Sequence, residues 1–493
     1  MNALLIYPKI PDTFWSFTHA LKFIRKRAAY PPLGLLTVAA MLPGAFHKRL
    51  VDVNVERLTE DHLSWADLIF IGGMTIQRDS AKQIIRRCKA AGLKVIAGGP
   101  LFTAEPSAFV EVDHLVLDEA EITLPLFLED LENGCPKHTY RAANFCNICH
   151  TPLPDWHLID MNKYASMSIQ FSRGCPFNCD FCNVTVLFGH KPRLKTAQQV
   201  IRELDRIYDA GWRSNIFFVD DNFIGNKRYL KTHLLPALIH WRKKKKGCAF
   251  FTEASINLAD DEDLMKLMVK AGFDSVFIGI ESPSDASLTE CQKVQNKNRD
   301  LIKDVKLLQR AGLEVQGGFI VGFDHDTPSI FNQLIDFIQK SGIVTAMVGL
   351  LQAPPGTRLF DRLKNENRLT DLKISGDNVD GSTNVNPKMG FDQLMSGYRF
   401  IMAHIYAPKH YYKRVKVFLK EFDNSQVATP INLQRFLAVF RSSILLGVLG
   451  KERFHFWYLL VWTLFHKPRL LPLAITFAIY GYHFRRICEI HLL

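Results

Sequence analysis

Two periodicities alternate along the first 135 residues of the chain. Strand-like segments occur at residues 3–7, 49–55, 67–73, 93–97 and 114–117, and the run at 67–73 is apolar enough to be buried on both faces. Apolar positions at helical spacing separate these segments at residues 32–42, 79–91 and 124–131. Strand alternating with helix predicts a doubly wound parallel sheet, whose ligands bind at the carboxyl ends of the strands.

The same alternation begins again after residue 165. Predicted strands lie at residues 167–171, 215–219, 249–252, 275–280, 314–320 and 346–351. Helical patterns lie between them, for example at 196–210, 260–271 and 299–311. Six strand–helix repeats predict a partial (β/α)6 barrel of the TIM type.

These patterns predict an α/β protein of several domains, as expected for 493 residues. A doubly wound sheet occupies residues 1–140 and the barrel occupies 166–360. Residues 141–165, which include Thr151-Pro-Leu-Pro154, are predicted to form a linker. Residues 361–493 are predicted to form a mainly helical C-terminal region.

Composition excludes some classes of protein. Hydrophobic residues make up 47% and charged residues 22%, so the chain is not mainly disordered. Ten cysteines in 493 residues are too few for a disulfide scaffold, and no secretory signal pattern precedes them. No apolar run reaches the roughly 18 to 20 residues that span a bilayer. We therefore expect a cytoplasmic protein with reduced thiols.

The positive charge is concentrated at the C-terminus. Residues 408–493 contain 13 Lys/Arg and 4 Asp/Glu, which accounts for +9 of the net charge of +12. The same stretch is the most aromatic, a combination typical of peripheral contact with a lipid surface, here the inner face of a membrane. Helices that simply pack on the barrel would explain the pattern as well. No nucleic-acid-reading motif accompanies the charge, so no nucleic-acid partner is expected.

Three cysteines in the loop after the first barrel strand carry the strongest chemical signal. Cys175, Cys179 and Cys182 have x3 and x2 spacing, which chance would produce in about 0.004 chains of this cysteine content. A structural zinc site takes four ligands, whereas three thiolates suit an iron–sulfur cluster with one iron left open. The spacing predicts a [4Fe–4S] cluster, with zinc or inert thiols as the alternative. The linker pair Cys146 and Cys149 has the spacing of a metal site or of part of a second cluster, and its role stays open.

A Cys-x3-Cys-x2-Cys motif after the first strand of a six-repeat barrel resembles the radical S-adenosylmethionine (SAM) superfamily. In that superfamily the open iron binds SAM, and reductive cleavage of SAM yields a 5′-deoxyadenosyl radical. The resemblance implies that Cys175, Cys179 and Cys182 hold the cluster and that Phe181 packs on the adenine. It also implies an electron donor such as flavodoxin or ferredoxin.

Further SAM contacts are implied at the ends of later strands. Asp220, Asp221 and Asn222 follow the second barrel strand, where the superfamily binds the amino group of SAM. An acidic helix cap is the alternative for this run. After the fourth strand, Glu281 is placed to accept from ribose hydroxyls. Gly318 and Gly322 resemble the fifth-strand glycine motif, although glycines also serve plain turns.

A doubly wound sheet before such a barrel resembles a cobalamin-binding Rossmann-like domain. The Asp-x-His-x-x-Gly motif that supplies a histidine to cobalt is absent from the sequence, so a histidine-free site is expected. A vestigial sheet that binds nothing is the alternative. The implied cobalamin contacts follow the third, fourth and fifth strands and are Gly72, Gly73, Met74, Thr75, Gln77, Gly98, Gly99, Thr103 and Glu119.

Stretches along nearly the whole chain, for example residues 252–259 and 347–350, resemble radical SAM proteins with a cobalamin domain and a DUF4070-type C-terminal region. That group includes the hopanoid C-2 methylases. The resemblance implies cobalamin-dependent methylation at an unactivated carbon of a lipid, hopanoid-like or otherwise hydrophobic. Such a C–H bond is far too weak an acid for a side-chain base.

Other readings remain open at this stage. The radical could serve ring closure, oxidation or rearrangement without methyl transfer. A non-catalytic zinc- or RNA-binding protein is a remote alternative. Arg193 and Lys195, which follow the cluster loop, either meet an anionic substrate group or are surface charges.

Overall fold

The computed structural model describes residues 1–377, 379–423 and 433–492. Its N-terminal sheet has six parallel strands in the order β2-β1-β3-β4-β5-β6. The strand order reverses direction at β1, so the carboxyl ends of β1 and β3 flank the position where ligands of such sheets bind. The strands are β1 Asn2–Tyr7, β2 His47–Asp52, β3 Leu68–Gly72, β4 Lys94–Gly98, β5 His114–Val116 and β6 Thr139–Tyr140.

Helices cover both faces of this sheet. The predicted helices form as α2, α4 and α6, whereas α1, α3 and α5 were not predicted. These three are only five to seven residues long, too short to show a helical period in the sequence. The helices are α1 Thr18–Ile24, α2 Leu33–Met41, α3 Glu60–Trp65, α4 Arg78–Ala90, α5 Pro100–Ala104 and α6 Ala120–Glu132.

The second sheet is the predicted partial barrel. Its six strands are parallel and neighbour one another in chain order, so their carboxyl ends share one rim. A short antiparallel hairpin, β8 with β9, flanks the cysteine loop. In chain order the strands are β7 Met167–Ile169, β8 Ser172–Arg173, β9 Arg193–Leu194, β10 Ile216–Phe218, β11 Phe250–Glu253, β12 Phe273–Glu281, β13 Glu314–Val321 and β14 Ala346–Leu350.

Amphipathic helices surround the barrel. Their apolar residues join the strands in one continuous core that extends into the N-terminal sheet. The helices are α7 Val184–Phe188, α8 Ala197–Asp209, α9 Lys227–Tyr229 with a π-helical turn at Leu230–Leu234, α10 Leu235–Lys244, α11 Glu262–Ala271, α12 Asp285–Glu290, α13 Leu301–Arg310, α14 Ser329–Ser341 and α15 Arg358–Asn365.

The C-terminal region is helical, as predicted, and packs on the last barrel repeats. Two buried tyrosines pin it to β14: the Tyr398 hydroxyl donates to Val348 O at 3.1 Å and the Tyr406 hydroxyl to Ala346 O at 2.6 Å. Its helices are α16 Phe391–Tyr406, α17 Pro408–Glu421, α18 Leu433–Leu445, α19 Arg453–His466 and α20 Leu471–His491. Within residues 1–377, 379–423 and 433–492, none of the helices combines the length and apolarity needed to cross a membrane.

The last helix also holds the first residues of the chain. The rings of Phe14 and Phe484 stack at 4.1 Å, and His483 Nε2 is 3.0 Å from Phe14 O. The predicted linker is likewise packed, with Trp156 buried in the core that extends through both α/β units. The first residues of the chain and the predicted linker therefore both contribute to the surface of the cavity between the two sheets.

Candidate active site between the two sheets

The carboxyl ends of both sheets open onto one cavity of about 1080 Å³. Thr75 and Thr103 line it from the N-terminal sheet, Phe251 and Phe277 from inside the barrel, and Asn183 from the cysteine loop. This volume exceeds the roughly 300–1,000 Å³ of ordinary small-molecule sites. The cavity therefore has room for a large cofactor together with a substrate.

The barrel half of the cavity has aromatic walls. The rings of Phe217 and Phe251 stack at 4.8 Å, and Tyr30 lies 5.4 Å from Phe217. On the neighbouring strand β12, Phe277 meets Trp15 edge-on at 5.4 Å. Tyr30 and Trp15 come from the N-terminal arm, which gave no sequence signal for this role. The walls suit an apolar molecule because they offer large hydrophobic area and few polar groups.

Glu253, at the end of β11, is the carboxyl group in this aromatic half. Burial raises its pKa to about 8, helped by the charges of Asp221 and Asp220 and opposed by Lys293. Among the described residues, no group hydrogen-bonds to its carboxyl oxygens in the structure. At pH 7 the group is mainly a neutral acid that can both donate and accept a hydrogen bond. Glu253 lies in the stretch 252–259 that carried the family resemblance, so a signal for it was present.

The cysteine loop is shaped by its glycine and by its backbone. Gly174 has φ +93°, and a Cβ there would lie 2.9 Å from Gly189 O. Only glycine therefore allows the turn into Cys175. Cys175 N donates to Gly189 O at 3.3 Å and Cys182 N to Cys179 O at 3.2 Å.

Two amide side chains approach the cysteine sulfurs. Asn222 Nδ2 lies 3.8 Å from Cys175 Sγ, and Gln295 Nε2 lies 3.8 Å from Cys179 Sγ. Three thiols with N–H donors around them match the donor set of an iron–sulfur cluster, in which such contacts tune the potential. The residues present therefore fit the predicted cluster. Gln295 was not predicted, because nothing in its local sequence distinguishes it.

The predicted ribose contact, Glu281, is buried and holds a buried lysine. Lys293 Nζ is 2.6 Å from Glu281 Oε1, and it lies 5.9 Å from the ring centroid of Phe181. Burial acts to lower the pKa of Lys293, but the charges of Glu281 and the cluster cysteines raise it above its ordinary value. The lysine stays protonated and provides a positive charge beside the thiols. Glu281 has φ +64°, a strained conformation for a residue other than glycine.

The polar residues Asp220, Asp221 and Asn222 after β10 have different surroundings. Asp220 is fully buried and accepts from Phe171 N at 3.1 Å and from Ser172, so it ties β10 to the start of the cysteine hairpin. Burial raises its pKa to about 7. Burial also raises the pKa of Asp221 to about 6. Asn222 Oδ1 accepts from Ser255 at 3.3 Å.

The two predicted fifth-strand glycines make room for neighbours. A Cβ on Gly318 would lie 2.7 Å from Phe277 Cζ, so this glycine allows Phe277 its place in the cavity wall. Gly322 has φ +109°, and its N–H donates to Asp326 Oδ2 at 2.9 Å. Neither glycine lines the cavity.

The predicted cobalamin contacts also divide into two sets. Met74, Thr75, Thr103 and Glu119 line the cavity. The glycines lie beneath them: a Cβ on Gly98 would meet Val116 O at 2.5 Å, and Gly99 has φ +89°. Gly72 and Gly73 lie at the end of β3 against Leu35 and Gln77.

Gln77 itself does not reach the cavity. It is buried, its Oε1 accepts from Met74 N at 2.9 Å, and its Nε2 donates to Pro8 O. Gln77 therefore shapes the loop that carries Met74 and Thr75. No histidine lines the cavity among the described residues.

Glu119 and Arg193, predicted for different ligands, contact each other. Arg193 Nη1 is 2.8 Å from Glu119 Oε2, and Arg173 Nη1 is 3.0 Å from Glu119 Oε1. Arg173 also contacts Glu121 at 2.7 Å; burial acts to raise the pKa of Glu121, but Arg173 lowers it to about 2. Cys146 N donates to Glu119 at 2.6 Å. The network joins the N-terminal sheet to the cysteine hairpin.

Lys195 lies elsewhere. Its side chain is buried and paired with the buried carboxylate of Glu203. It does not line the cavity, so the structure places it in the barrel core rather than beside a substrate.

Three family models match the chain in succession. The B12 binding domain matches residues 26–128, the radical SAM superfamily matches 169–338, and the domain of unknown function DUF4070 matches 357–492. A curated hopanoid C-2 methylase from Rhodopseudomonas palustris is 34% identical over 92% of this chain and 88% of that protein. An uncharacterized methyltransferase from Synechocystis sp. is 40% identical over 99% of this chain and 92% of that protein.

The chain belongs to the radical SAM methyltransferases that carry a B12-binding domain. Its cofactors are therefore a [4Fe–4S] cluster, SAM and cobalamin, as predicted. Solved structures agree on the fold. The cobalamin-dependent radical enzyme OxsB with aqua-cobalamin has a TM-score of 0.63 and 14% identity, covering 99% of this chain and 80% of its own. The methyltransferase TsrM from Kitasatospora setae has a TM-score of 0.60 and 13% identity, covering 99% of both chains.

This family membership explains the cavity. Doubly wound sheets and TIM-type barrels both bind their ligands at the carboxyl ends of the strands. Here both sets of strand ends face the same cavity. The assignment of individual residues to each cofactor stays a prediction.

Proposed function

We propose that this radical SAM enzyme methylates an unactivated carbon of a lipid-class substrate, hopanoid-like or similarly hydrophobic. The observation that carries the proposal is the aromatic barrel half of the cavity, which lies between the cysteine loop and the ends of the N-terminal sheet. The cluster with SAM supplies hydrogen abstraction, and cobalamin supplies the methyl group. The relative from Rhodopseudomonas palustris, named for hopanoid C-2 methylation, supports the substrate class.

The chain's own residues orient the substrate and keep water out. Tyr30, Phe217 and Phe251 offer a flat apolar surface for the ring system or chain. Glu253 can hydrogen-bond a single hydroxyl or carbonyl group and thereby set which carbon faces the cysteine loop. The N-terminal arm around Trp15 closes one side, because Trp15 Nε1 donates to Met347 Sδ at 3.0 Å across the barrel mouth.

We further propose that the enzyme works at the periphery of a membrane and is reduced by a flavodoxin- or ferredoxin-type protein. A lipid substrate dissolved in a bilayer requires a protein that can approach that bilayer. The C-terminal helices expose large apolar side chains, including Phe465 at 79% and Leu449 at 70%, which supports such an approach.

The first experiment reconstitutes the enzyme anaerobically with iron, sulfide and hydroxocobalamin. The loaded enzyme then receives a membrane lipid extract, a reductant and SAM carrying a deuterated methyl group. We expect about four irons and one cobalt per chain, and a lipid product that contains the deuterated methyl. Products that differ from the substrate in their number of hydrogens but lack the label would instead indicate radical cyclisation or oxidation. Cys179→Ala is the control that should form neither 5′-deoxyadenosine nor product.

A further inference from the structure

Helix α19 has two apolar faces. Phe456, Leu459 and Thr463 are buried on one face, and the helix packs against α17 and α20. The other face is open to solvent and repeats at intervals of three and four residues, as one side of a helix does. Its exposed side chains are Phe454, Trp457, Tyr458, Val461, Leu464 and Phe465.

The end of α18 and the loop after it extend this open face. Trp457 Nε1 donates to Gly447 O at 2.9 Å, which holds the loop against α19. The neighbouring side chains are exposed as well: Phe440, Ile444, Leu445, Val448 and Leu449. We call the exposed apolar side chains of residues 439–449 and 454–465 the apolar ridge. Scattered exposed apolar residues are ordinary, but a continuous surface of this kind marks an interaction site.

The charges around the apolar ridge have one sign. Residues 437–470 contain five Lys/Arg and a single acid, Glu452. Glu452 is buried and paired with Arg485, so it contributes no negative charge to the surface. Lys451 and Arg453 are exposed at one end of α19 and Arg469 is exposed beyond the other. An apolar surface between cations complements the acyl and headgroup layers of an anionic bilayer.

We propose that the apolar ridge docks on the surface of an anionic phospholipid bilayer, with α19 lying in the plane of the membrane. This inference rests on the proposed lipid substrate and adds the surface by which the enzyme reaches it. The ridge is also connected to the cavity: Arg441 Nη1, on α18, donates to Phe23 O at 2.6 Å in α1. The arm immediately before α1 carries Phe14 and Trp15, which line the cavity. Docking therefore places the bilayer beside the segment that forms one wall of the cavity.

The test is flotation of the purified full-length chain with phospholipid vesicles in a sucrose density gradient. We expect binding to vesicles of phosphatidylcholine with phosphatidylglycerol, and weaker binding at high salt or with phosphatidylcholine alone, because the cations attract anionic headgroups. Leu449→Asp combined with Phe465→Asp should lower binding about tenfold or more, since two exposed apolar side chains that would enter the bilayer are replaced by carboxylates. Val110→Asp, at a side chain 76% exposed in the N-terminal domain, is the matched control and should bind as the wild type does.

Three results separate this proposal from its competitors. Equal flotation of the wild type and of the ridge double variant would overturn docking. A wild-type dimer that becomes a monomer in the ridge variant, without vesicle binding by either, would reassign the ridge to a second copy of the chain. Flotation needs no turnover. If the wild-type enzyme floats with the vesicles but does not methylate lipid, the proposed substrate is refuted and the docking surface stands.

Discussion

Arg193 Nη1 lies 2.8 Å from Glu119 Oε2 and joins the hairpin beside the cysteine loop to the end of β5 in the N-terminal sheet. Both side chains are largely buried, at 16% and 4% exposure, and Arg173 shares the same carboxylate at 3.0 Å. The position of the cobalamin-binding sheet relative to the cysteine loop therefore depends on a desolvated ion pair. Removing one member of such a pair is costly because the other charge stays buried.

Arg193→Ala should destabilise the protein and uncouple its two half-reactions. We expect a loss of about 1–3 kcal/mol in unfolding free energy, because Arg173 still neutralises Glu119 in part. 5′-Deoxyadenosine should form in excess over methylated product, since the two sheets are no longer held at one spacing. Thermal denaturation and product ratios measure both effects. Arg202→Ala, at an exposed position of α8, should change neither, and an unaltered Arg193→Ala enzyme would contradict the role of the pair.

Cys179→Ala should abolish 5′-deoxyadenosine formation and lower bound iron without unfolding the barrel. The cysteine lies in a loop whose backbone is held by Gly174 and Gly189, so its sulfur is not needed for folding. Iron analysis, circular dichroism and chromatography of the nucleoside product provide the measurement. Cys135→Ala, at an exposed thiol outside the site, should behave as the wild type. Retained SAM cleavage in Cys179→Ala would reject the cluster assignment.

Glu253→Gln should change the pH dependence of stability. Folding raises the pKa of Glu253 from its ordinary 4.5 to about 8, mainly by burial. Its contribution to stability is therefore fully present below pH 4.5 and is lost as the pH rises through about 8, because folding then requires burial of a carboxylate. Thermal melts of the wild type and Glu253→Gln across this range should converge in acid and favour the variant at high pH. If the difference in melting temperature between the two proteins stays constant across this pH range, the raised pKa of Glu253 is contradicted.

Glu314→Gln separates this stability effect from substrate binding. Burial likewise raises the pKa of Glu314 to about 8, but this residue lies at the start of β13 and outside the cavity. Glu253→Gln and Glu314→Gln should each reduce the pH dependence of stability. Of Glu253→Ala and Glu314→Gln, only Glu253→Ala should lower methylation while SAM cleavage persists. A methylation defect in Glu314→Gln equal to that of Glu253→Ala would argue against the placement of substrate beside Glu253.

Gly318→Ala should narrow the cavity. The new methyl group would lie 2.7 Å from Phe277 Cζ, so the ring must move into the cavity or the strand must shift. We expect weaker substrate binding and a lower methylation rate with SAM cleavage retained. Gly34→Ala, on α2 with nothing within 4 Å of the added carbon, should leave activity unchanged and add up to about 1 kcal/mol of stability. Equal activity of the two variants would mean that Phe277 does not define the substrate space.

The elements that the sequence predicted well are those whose local pattern is complete. Strands such as β1 and β3 are continuous apolar runs buried on both faces, and that burial is visible in the residues themselves. The strand β6, with only two residues, was not predicted. Cys175, Cys179 and Cys182 are close in sequence, so their spacing was enough to predict their chemistry. The short helices α1, α3 and α5 were missed because five to seven residues do not complete a period.

The side-chain environment of the site was decided by contacts between distant segments. Arg193 and Lys195 are two residues apart and looked equivalent, yet one joins Glu119, 74 residues away, and the other is buried against Glu203. Lys293 reaches the cluster cysteines, and Tyr30 and Trp15 reach the barrel mouth, only because the chain folds back on itself.

By itself, the sequence determined the two α/β units and the cysteine motif, because these depend on local periodicity and spacing. The family followed from the resemblance of its motifs to known proteins. Only the tertiary structure decided which carboxylates are paired, which glycines make room for a ring, and how the walls of the cavity are assembled. The Phe14–Phe484 stack, which connects the two ends of the chain at 4.1 Å, shows the reason. Burial and electrostatic pairing are properties of three-dimensional neighbourhoods, and no local window of sequence contains both members of such a contact.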